Sequence, residues 1–243
     1  MYSSVSEVYD KIFSAKNYKL ESSQILELLD LSCENDKVVD IGCGTGGHAP
    51  FISRHIKYTG IDINQNMIAR AKEKDIENSV FLHGAASTLN LNYYNAATSL
   101  FNVPNHIHNI EQLISFFKSI YSATTFSAPL IFDAWNGVAA MRDLPKKEVR
   151  NIQDCRLVLS PEFDVFNQTI EIKYHYHDFQ DEKLMWQDSL KMTIWTPKTL
   201  CDCLKLGGYR VDKIYSGFGR QQLKAAEPAD YKLLFYCKKD TRE

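Results

Sequence analysis

Apolar residues fall in short compact runs that alternate with longer stretches of helical period along the first half of the chain. Val38-Val39 with Ile41, the stretch Tyr58 to Ile63, Val80 to His83, Ala97 to Phe101 and Pro129 to Trp135 read as buried strands. Between the last two, Ile110, Leu113, Ile114, Phe117 and Ile120 fall at i, i+3, i+4, i+7 and i+10, which predicts an amphipathic helix over 109–121 packed on a sheet. A helix over about 47–55 can hold Pro50 only in its first turn, and Asn64 is placed to cap a helix running to about Lys74. Ahead of the first strand, Ile25, Leu28 and Leu29 line one face of a helix expected to lie in front of the core as a flap. Five alternations of strand and helix predict an α/β, Rossmann-like, doubly wound sheet of seven mostly parallel strands.

From about Met141 the period changes to two. Ile170, Ile172, Tyr174 and Tyr176 alternate with Glu171, Lys173, His175 and His177, and a return strand follows from Leu184 to about Trp195. This predicts an antiparallel insertion over 142–196 inside a single domain spanning 1–243, lying across the carboxyl ends of the main sheet as a substrate roof. His175 and His177 share the face of Glu171 and Lys173, which reads as solvated and not as a metal site. Thr196-Pro197 then opens a helix ending at Gly207-Gly208, and strands over 209–218 and 231–238 complete the sheet.

Composition narrows the function classes. The chain has 243 residues, 44% of them hydrophobic, enough for a full core, and its net charge of -2 without a dense Lys/Arg block argues against a nucleic-acid partner and for a small-molecule one. No membrane span and no signal segment is legible, so the expected location is the cytoplasm. The six cysteines Cys33, Cys43, Cys155, Cys201, Cys203 and Cys237 are scattered and read as free thiols, with no metal expected.

The chemistry concentrates after the first strand. Asp40-Ile41-Gly42-Cys43-Gly44-Thr45-Gly46-Gly47 places a glycine turn at a strand end, where side chains would hold a ligand off the backbone. Asp62, ending the next strand, can accept hydrogen bonds from both hydroxyls of a ribose. Together they predict an adenosine-containing cofactor. Gly42, Gly44 and Gly47 also satisfy the dinucleotide pattern G-x-G-x-x-G, but Asp40 beside the turn suits a cationic amino-acid tail and would repel a pyrophosphate. Cys43 is expected to serve the turn by its small size.

This run resembles the first motif of class I S-adenosylmethionine methyltransferases. Tyr9-Asp10-Lys11 with Tyr18 and Glu21, the segment Phe101 to His106 and the antiparallel insert are similar to small-molecule methyltransferases related to the amino-sugar N-methyltransferases. Phe132 to Gly137 resembles a segment of methyltransferases of polysaccharide and nucleotide-sugar pathways. The resemblance implies S-adenosylmethionine as cofactor and S-adenosylhomocysteine as product. It implies cofactor contacts from Tyr9, Tyr18, Asp40, Gly42, Cys43, Gly44, Asp62, Ile63, Met67, Ala85, Ala86 and Phe101. His106 is the implied base, Tyr9 and Tyr18 are implied to close over the cofactor with a phenol oxygen near the methyl or the methionine carboxylate, Tyr9 being the catalytic candidate, and Asn102, His106, Asp133 and Trp135 are the implied acceptor residues. The implied acceptor is a nucleotide-linked or phosphorylated sugar of surface-polysaccharide metabolism, methylated at nitrogen or oxygen, with another small phosphorylated or amine metabolite as the alternative. An amine needs only to lose a proton near neutrality, whereas a hydroxyl needs a true base.

Two departures stand out. Gly84-Ala85-Ala86 replaces the usual Gly-Asp whose acid meets the adenine amino group, and Asn95 stands where an Asp is common. The loss at Ala85 motivates an alternative, a non-catalytic protein of this fold that binds a partner. A nicotinamide oxidoreductase lacks its Tyr-x-x-x-Lys pair here. A nucleic-acid methyltransferase lacks the Asn/Asp-Pro-Pro-aromatic run, of which Asn102-Val103-Pro104-Asn105 is a faint echo. The insert could equally form a homodimer contact.

Overall fold

The computed structural model describes residues 5–31, 35–89, 91, 93–152 and 155–240. Cys33 and the first residues of the N-terminal segment, including Tyr2, lie outside them. Two helices, α1 (Val5–Ile12) and α2 (Tyr18–Leu29), precede the sheet. The main sheet then builds through β1 (Lys37–Ile41), α3 (Ala49–Ile52), β2 (Lys57–Asp62), α4 (Gln65–Glu73), β3 (Ser79–His83), β4 (Ala96–Ser99), a 3-10 turn (Val103–His106), α5 (Ile110–Ala123) and β5 (Leu130–Trp135). After α6 (Gly137–Arg142) come four antiparallel strands, β6 (Glu148–Ile152), β7 (Cys155–Asp164), β8 (Thr169–Asp178) and β9 (Leu184–Thr193), then α7 (Pro197–Leu206), β10 (Tyr209–Ser216) and β11 (Lys232–Lys239).

The seven-stranded sheet has the order β10-β11-β5-β4-β1-β2-β3, with β11 antiparallel to both neighbours and the other pairs parallel. The chain winds outward from β1 to β3 and then returns to β4 on the other side of β1. That reversal opens a crevice at the carboxyl ends of β1 and β4, where open α/β sheets bind ligands. Side-chain alternation sends Val38 and Val39 to opposite faces, and each face has its own core cluster: Val38 with Ile25, Ile52 and Ile131, Val39 with Phe117, Phe132 and Phe235. The second sheet, in the order β6-β7-β8-β9, packs Leu157, Ile170, Ile172, Tyr174 and Tyr176 against Ile12 and Ala140 in a third cluster.

Local chemistry explains most boundaries. Asn64 accepts from the N–H groups of Asn66 and Met67 and starts α4, Asn109 caps α5 the same way, and Thr196 caps α7 ahead of Pro197. The helix expected over 47–55 is only the four residues of α3, because Gly46 at φ 73° keeps the chain in turns until His48. The fourth strand stops at Ser99 and not at Phe101, since Phe101 and Asn102 take left-handed φ of 73° and 62°. Ile110 does not join the core stripe of α5: as the first helical residue it is 50% exposed, while Leu113, Phe117 and Ile120 are fully buried. The insert contains β6 and β7 in addition to the two strands legible from period. His175 and His177 are half-buried and their rings stack with centroids 6.4 Å apart. Among the described residues no group of three His, Cys, Asp or Glu is placed to hold a metal. No described helix is long and apolar enough to cross a membrane. Asn95, the second sequence departure, ties β1 to β4 by accepting from the Lys37 N–H at 2.9 Å.

Candidate active site

A cavity of about 950 Å³ lies at the carboxyl ends of β1, β2, β4 and β5. Its volume is at the upper end of the roughly 300–1,000 Å³ that hold one small ligand, which leaves room for a cofactor and a second molecule together. The inner part is walled by Gly42, Gly44, Asp62, Ile63, Met67, Ala85, Ala86 and Phe101, with Tyr9 reaching in from α1. Asn102, His106 and Trp135 line it further out, and the antiparallel insert covers it with Arg150, Ile172 and Tyr174 among others. The roof expected from the sequence is therefore part of the cavity wall.

Asp62 is held by its neighbours. Oδ2 accepts from the Gly44 N–H at 2.9 Å and Oδ1 from the Asn64 N–H at 2.8 Å, so one carboxylate ties the glycine turn to the start of α4. Burial raises its pKa, more than these two donors lower it. Each carboxylate oxygen keeps a further lone pair, the pair of acceptors a ribose diol requires. Gly44, at φ 56°, faces the cavity: a Cβ there would meet only the Tyr9 ring, at 3.9 Å from its Oη. Gly42 differs. At φ 80° it needs no side chain for a different reason, because Val103 Cγ2 would lie 2.5 Å from its Cβ. The cradle at Gly44, the free acceptor capacity of Asp62 and the apolar Met67, Ala85 and Ala86 fit an adenosine.

Four residues expected at the site do not line this cavity. Asp40 is buried beneath the turn, where Oδ2 accepts from Tyr58 Oη at 2.5 Å and Oδ1 from Thr98 Oγ1 at 2.9 Å. Its carboxylate holds β1 to β2 and β4 instead of meeting an amino-acid tail. Cys43 points into the core beside Gly60, its thiol pushed well up by burial and by Asp40 and Asp62. Tyr18 packs over Gly47 and edge-on to His48 at 4.9 Å, and burial raises its phenol pKa. Tyr18, Asp40 and Cys43 border a small cleft behind the glycine turn. Asp133 is likewise buried, and its Oδ1 accepts from the Asn102 N–H at 3.0 Å. It orders the loop that brings Asn102 and His106 to the cavity wall.

The expected aromatic flap is present at Tyr9. Its ring lies 4.7 Å from Phe13 and 6.3 Å from Phe101, and Asp10 beside it bonds Thr45 Oγ1 at 2.5 Å and Lys74 at 2.9 Å. Helix α1 is thus strapped to the glycine turn and α4. Glu21, buried and facing the cavity, accepts from Lys16 at 2.7 Å and contacts His48 at 2.9 Å. Burial would raise its carboxyl, but these two partners together hold it below the ordinary range. Lys16, whose ammonium also lies 4.7 Å from the Phe101 ring centroid, is not legible as a site residue in the sequence, because a lone lysine between helices carries no pattern.

His106 lies in the cavity wall, and burial, aided by His108, brings its pKa down to about 4. Asn102 Oδ1 is buried with no hydrogen-bond partner among the described residues, on a side chain that lines the cavity. The Asn105 carboxamide fastens this loop, donating to Thr193 O at 2.8 Å and accepting from Trp135 N–H at 3.0 Å.

Residues 38–125 match a family model described as a methyltransferase domain. From β1 to just past α5 the chain is similar to a methyltransferase domain. Over 83 residues it is 35% identical to the 23S rRNA (uracil(1939)-C(5))-methyltransferase RlmD of Vesicomyosocius okutanii subsp. Calyptogena okutanii (strain HA). That similarity covers 32% of this chain and about a fifth, 19%, of the relative. Solved structures match almost end to end. An S-adenosylmethionine-dependent methyltransferase from Clostridium acetobutylicum superposes with a TM-score of 0.81 at 17% identity, covering 98% of both chains. CalS10, described as an amino pentose methyltransferase from Micromonospora echinaspora involved in calicheamicin biosynthesis, gives 0.75 at 14% identity, covering 99% of this chain and 98% of that one. The overall fold is shared with these solved S-adenosylmethionine-dependent methyltransferases, and the antiparallel insert belongs to the part of the chain outside the matched 38–125 segment.

Proposed function

We propose that the protein transfers a methyl group from S-adenosylmethionine to a nitrogen of a small polar acceptor. The carrying observation is His106. Burial and His108 bring its pKa down to about 4, so the ring is neutral near pH 7 and a weaker base than an ordinary imidazole, which suits an amine acceptor better than a hydroxyl. An amine needs no such help, since it supplies its own lone pair once a proton is lost near neutrality. The cofactor supplies an activated methyl on a sulfonium when bound, so the protein's share is positioning. Asp62 and the Gly44 backbone would hold the adenosine end, Tyr9 and Phe101 would enclose the reacting centre, and Asn102 and His106 would orient the acceptor.

The finer reading, a nucleotide-linked or phosphorylated amino sugar of surface-polysaccharide metabolism, draws support from the resemblance of Phe132 to Gly137 and from Lys146 and Lys232. Both lysines are exposed at the cavity edge and neither forms an ion pair among the described residues, which suits an anionic group at the mouth. A nucleic-acid acceptor is disfavoured by the net charge of -2. The free thiols Cys43, Cys155, Cys201, Cys203 and Cys237 suit the reducing cytoplasm.

Calorimetric titration with S-adenosylmethionine, S-adenosylhomocysteine and NAD tests the cofactor, and S-adenosylhomocysteine release with matched amine and hydroxyl sugars tests the acceptor atom. Saturable binding of the first two ligands alone, with turnover on amines, is expected. Absence of binding would favour a non-catalytic partner-binding protein of this fold. Turnover on hydroxyls only would overturn the nitrogen assignment.

A further inference from the structure

The cavity is not uniform along its length. Its outer wall is the inward face of the insert, and the strand register there puts Pro161, Ile172 and Leu190 opposite one another across β7, β8 and β9. All three line the cavity. Two residues along, on the same face, the next row is Glu148, Leu159, Tyr174 and Asp188, so carboxylates stand at the two edges and the centre of the patch is hydrocarbon and one phenol ring. Helix α1 faces them with Ile12 and Phe13. Strand spacing and rise make this patch roughly 10 Å by 7 Å, the footprint of one six-membered ring. A wall of this kind inside a ligand cavity gains from an apolar surface laid on it and gains nothing from a hydrated hydroxyl.

We propose that the acceptor presents a ring-sized hydrocarbon face to Pro161, Ile172 and Leu190 while its amine points to Asn102 and His106. The acceptor is then amphipathic: polar at the nucleophile, apolar across its body, with any anionic group at Lys146 and Lys232. The inference rests on the methyltransferase reading for the place of the amine, and on the insert alone for the apolar body. Specificity follows from the same wall, because a fully hydroxylated ring would leave its hydroxyls unpaired against Ile172 and Leu190.

Cyclohexylamine and glucosamine, two six-membered-ring amines that differ mainly in hydroxylation, are titrated into the protein with and without saturating S-adenosylhomocysteine. The expected result is at least about tenfold tighter binding of cyclohexylamine. Leu190→Asn and Leu159→Asn, both at half-buried positions, should each weaken it by about tenfold while S-adenosylhomocysteine affinity stays within twofold, which also reports an intact fold. Equal or tighter binding of glucosamine, or cyclohexylamine binding unchanged in both variants, overturns the inference. Failure to bind S-adenosylhomocysteine would instead overturn the methyltransferase reading, and the titrations without it would still decide whether the wall selects hydrocarbon.

Discussion

The backbone N–H of Asn102 donates to Asp133 Oδ1 at 3.0 Å, joining the loop after β4 to the end of β5. The bond sits under two consecutive left-handed residues, Phe101 and Asn102, which no glycine relieves. Strained backbone of this kind persists where surrounding bonds over-determine it. Asp133 therefore positions the loop that carries Asn102 and His106 without itself reaching the cavity.

Asp133→Ala leaves the buried Asn102 N–H without its acceptor and should destabilise the protein by about 1–3 kcal/mol. Asp133→Asn keeps an acceptor oxygen and should recover most of that loss. Denaturant unfolding of the three proteins checks the order. Equal stability of Asp133→Ala and wild type would show that the bond does not order the loop.

The two cavity glycines should fail in different ways. Gly42→Ala drives a Cβ to within 2.5 Å of Val103 at φ 80° and should lower stability, part of which Val103→Ala restores in the double variant. Gly44→Ala meets nothing closer than 3.9 Å, so beyond the backbone strain of a Cβ at φ 56° it should chiefly weaken S-adenosylhomocysteine binding by standing in the cavity. Parallel unfolding and calorimetric measurements separate these outcomes.

Asp62→Ala removes the acceptor of both Gly44 and Asn64 N–H groups together with the proposed ribose contact. S-adenosylhomocysteine binding should fall by at least about a hundredfold, corresponding to roughly 3 kcal/mol for a charged, multiply bonded group. Ala85→Asp should move affinity the other way, by about three- to tenfold, by supplying a partner for the adenine amino group. A weakened Ala85→Asp variant would mean that adenine is held differently from the family pattern.

His106 predicts a pH dependence of stability. Its folded pKa of about 4 lies below the ordinary 6.5, so the folded state binds fewer protons between these values. Stability should then be fully present above about pH 6.5 and be lost as pH falls toward 4, by on the order of 2–3 kcal/mol. His106→Gln should flatten that slope. With an amine acceptor, His106→Ala should lower kcat only severalfold; a loss of a thousandfold or more would make His106 a required base after all.

Much of the fold was legible because the strand and helix periods of the first half are local properties. Val38 to Ile41, Tyr58 to Ile63 and the stripe Leu113, Phe117 and Ile120 each declare their element without reference to the rest of the chain. The glycine turn and Asp62 were legible for a similar reason, since a strand end followed by glycines and an acid ending the next strand places both at one crevice. Caps at Asn64, Asn109 and Thr196 are read from three or four residues.

What a side chain faces was decided by partners distant in sequence. Asp40 and Asp62 look alike as acids near a turn, but Tyr58 and Thr98, reached only across neighbouring strands, take both oxygens of Asp40 into the core and leave Asp62 at the cavity. Tyr18 and Asp133 were drawn away from the cavity in the same manner, by His48 and by the Asn102 N–H. The apolar wall of Pro161, Ile172 and Leu190 exists only through the register of three strands. By itself the sequence determined the elements, the crevice and the class of cofactor, because those depend on period and spacing. The tertiary structure alone decided which polar groups are used up inside the core and which face the cavity, because hydrogen-bond satisfaction and strand register are set between segments that the sequence keeps apart.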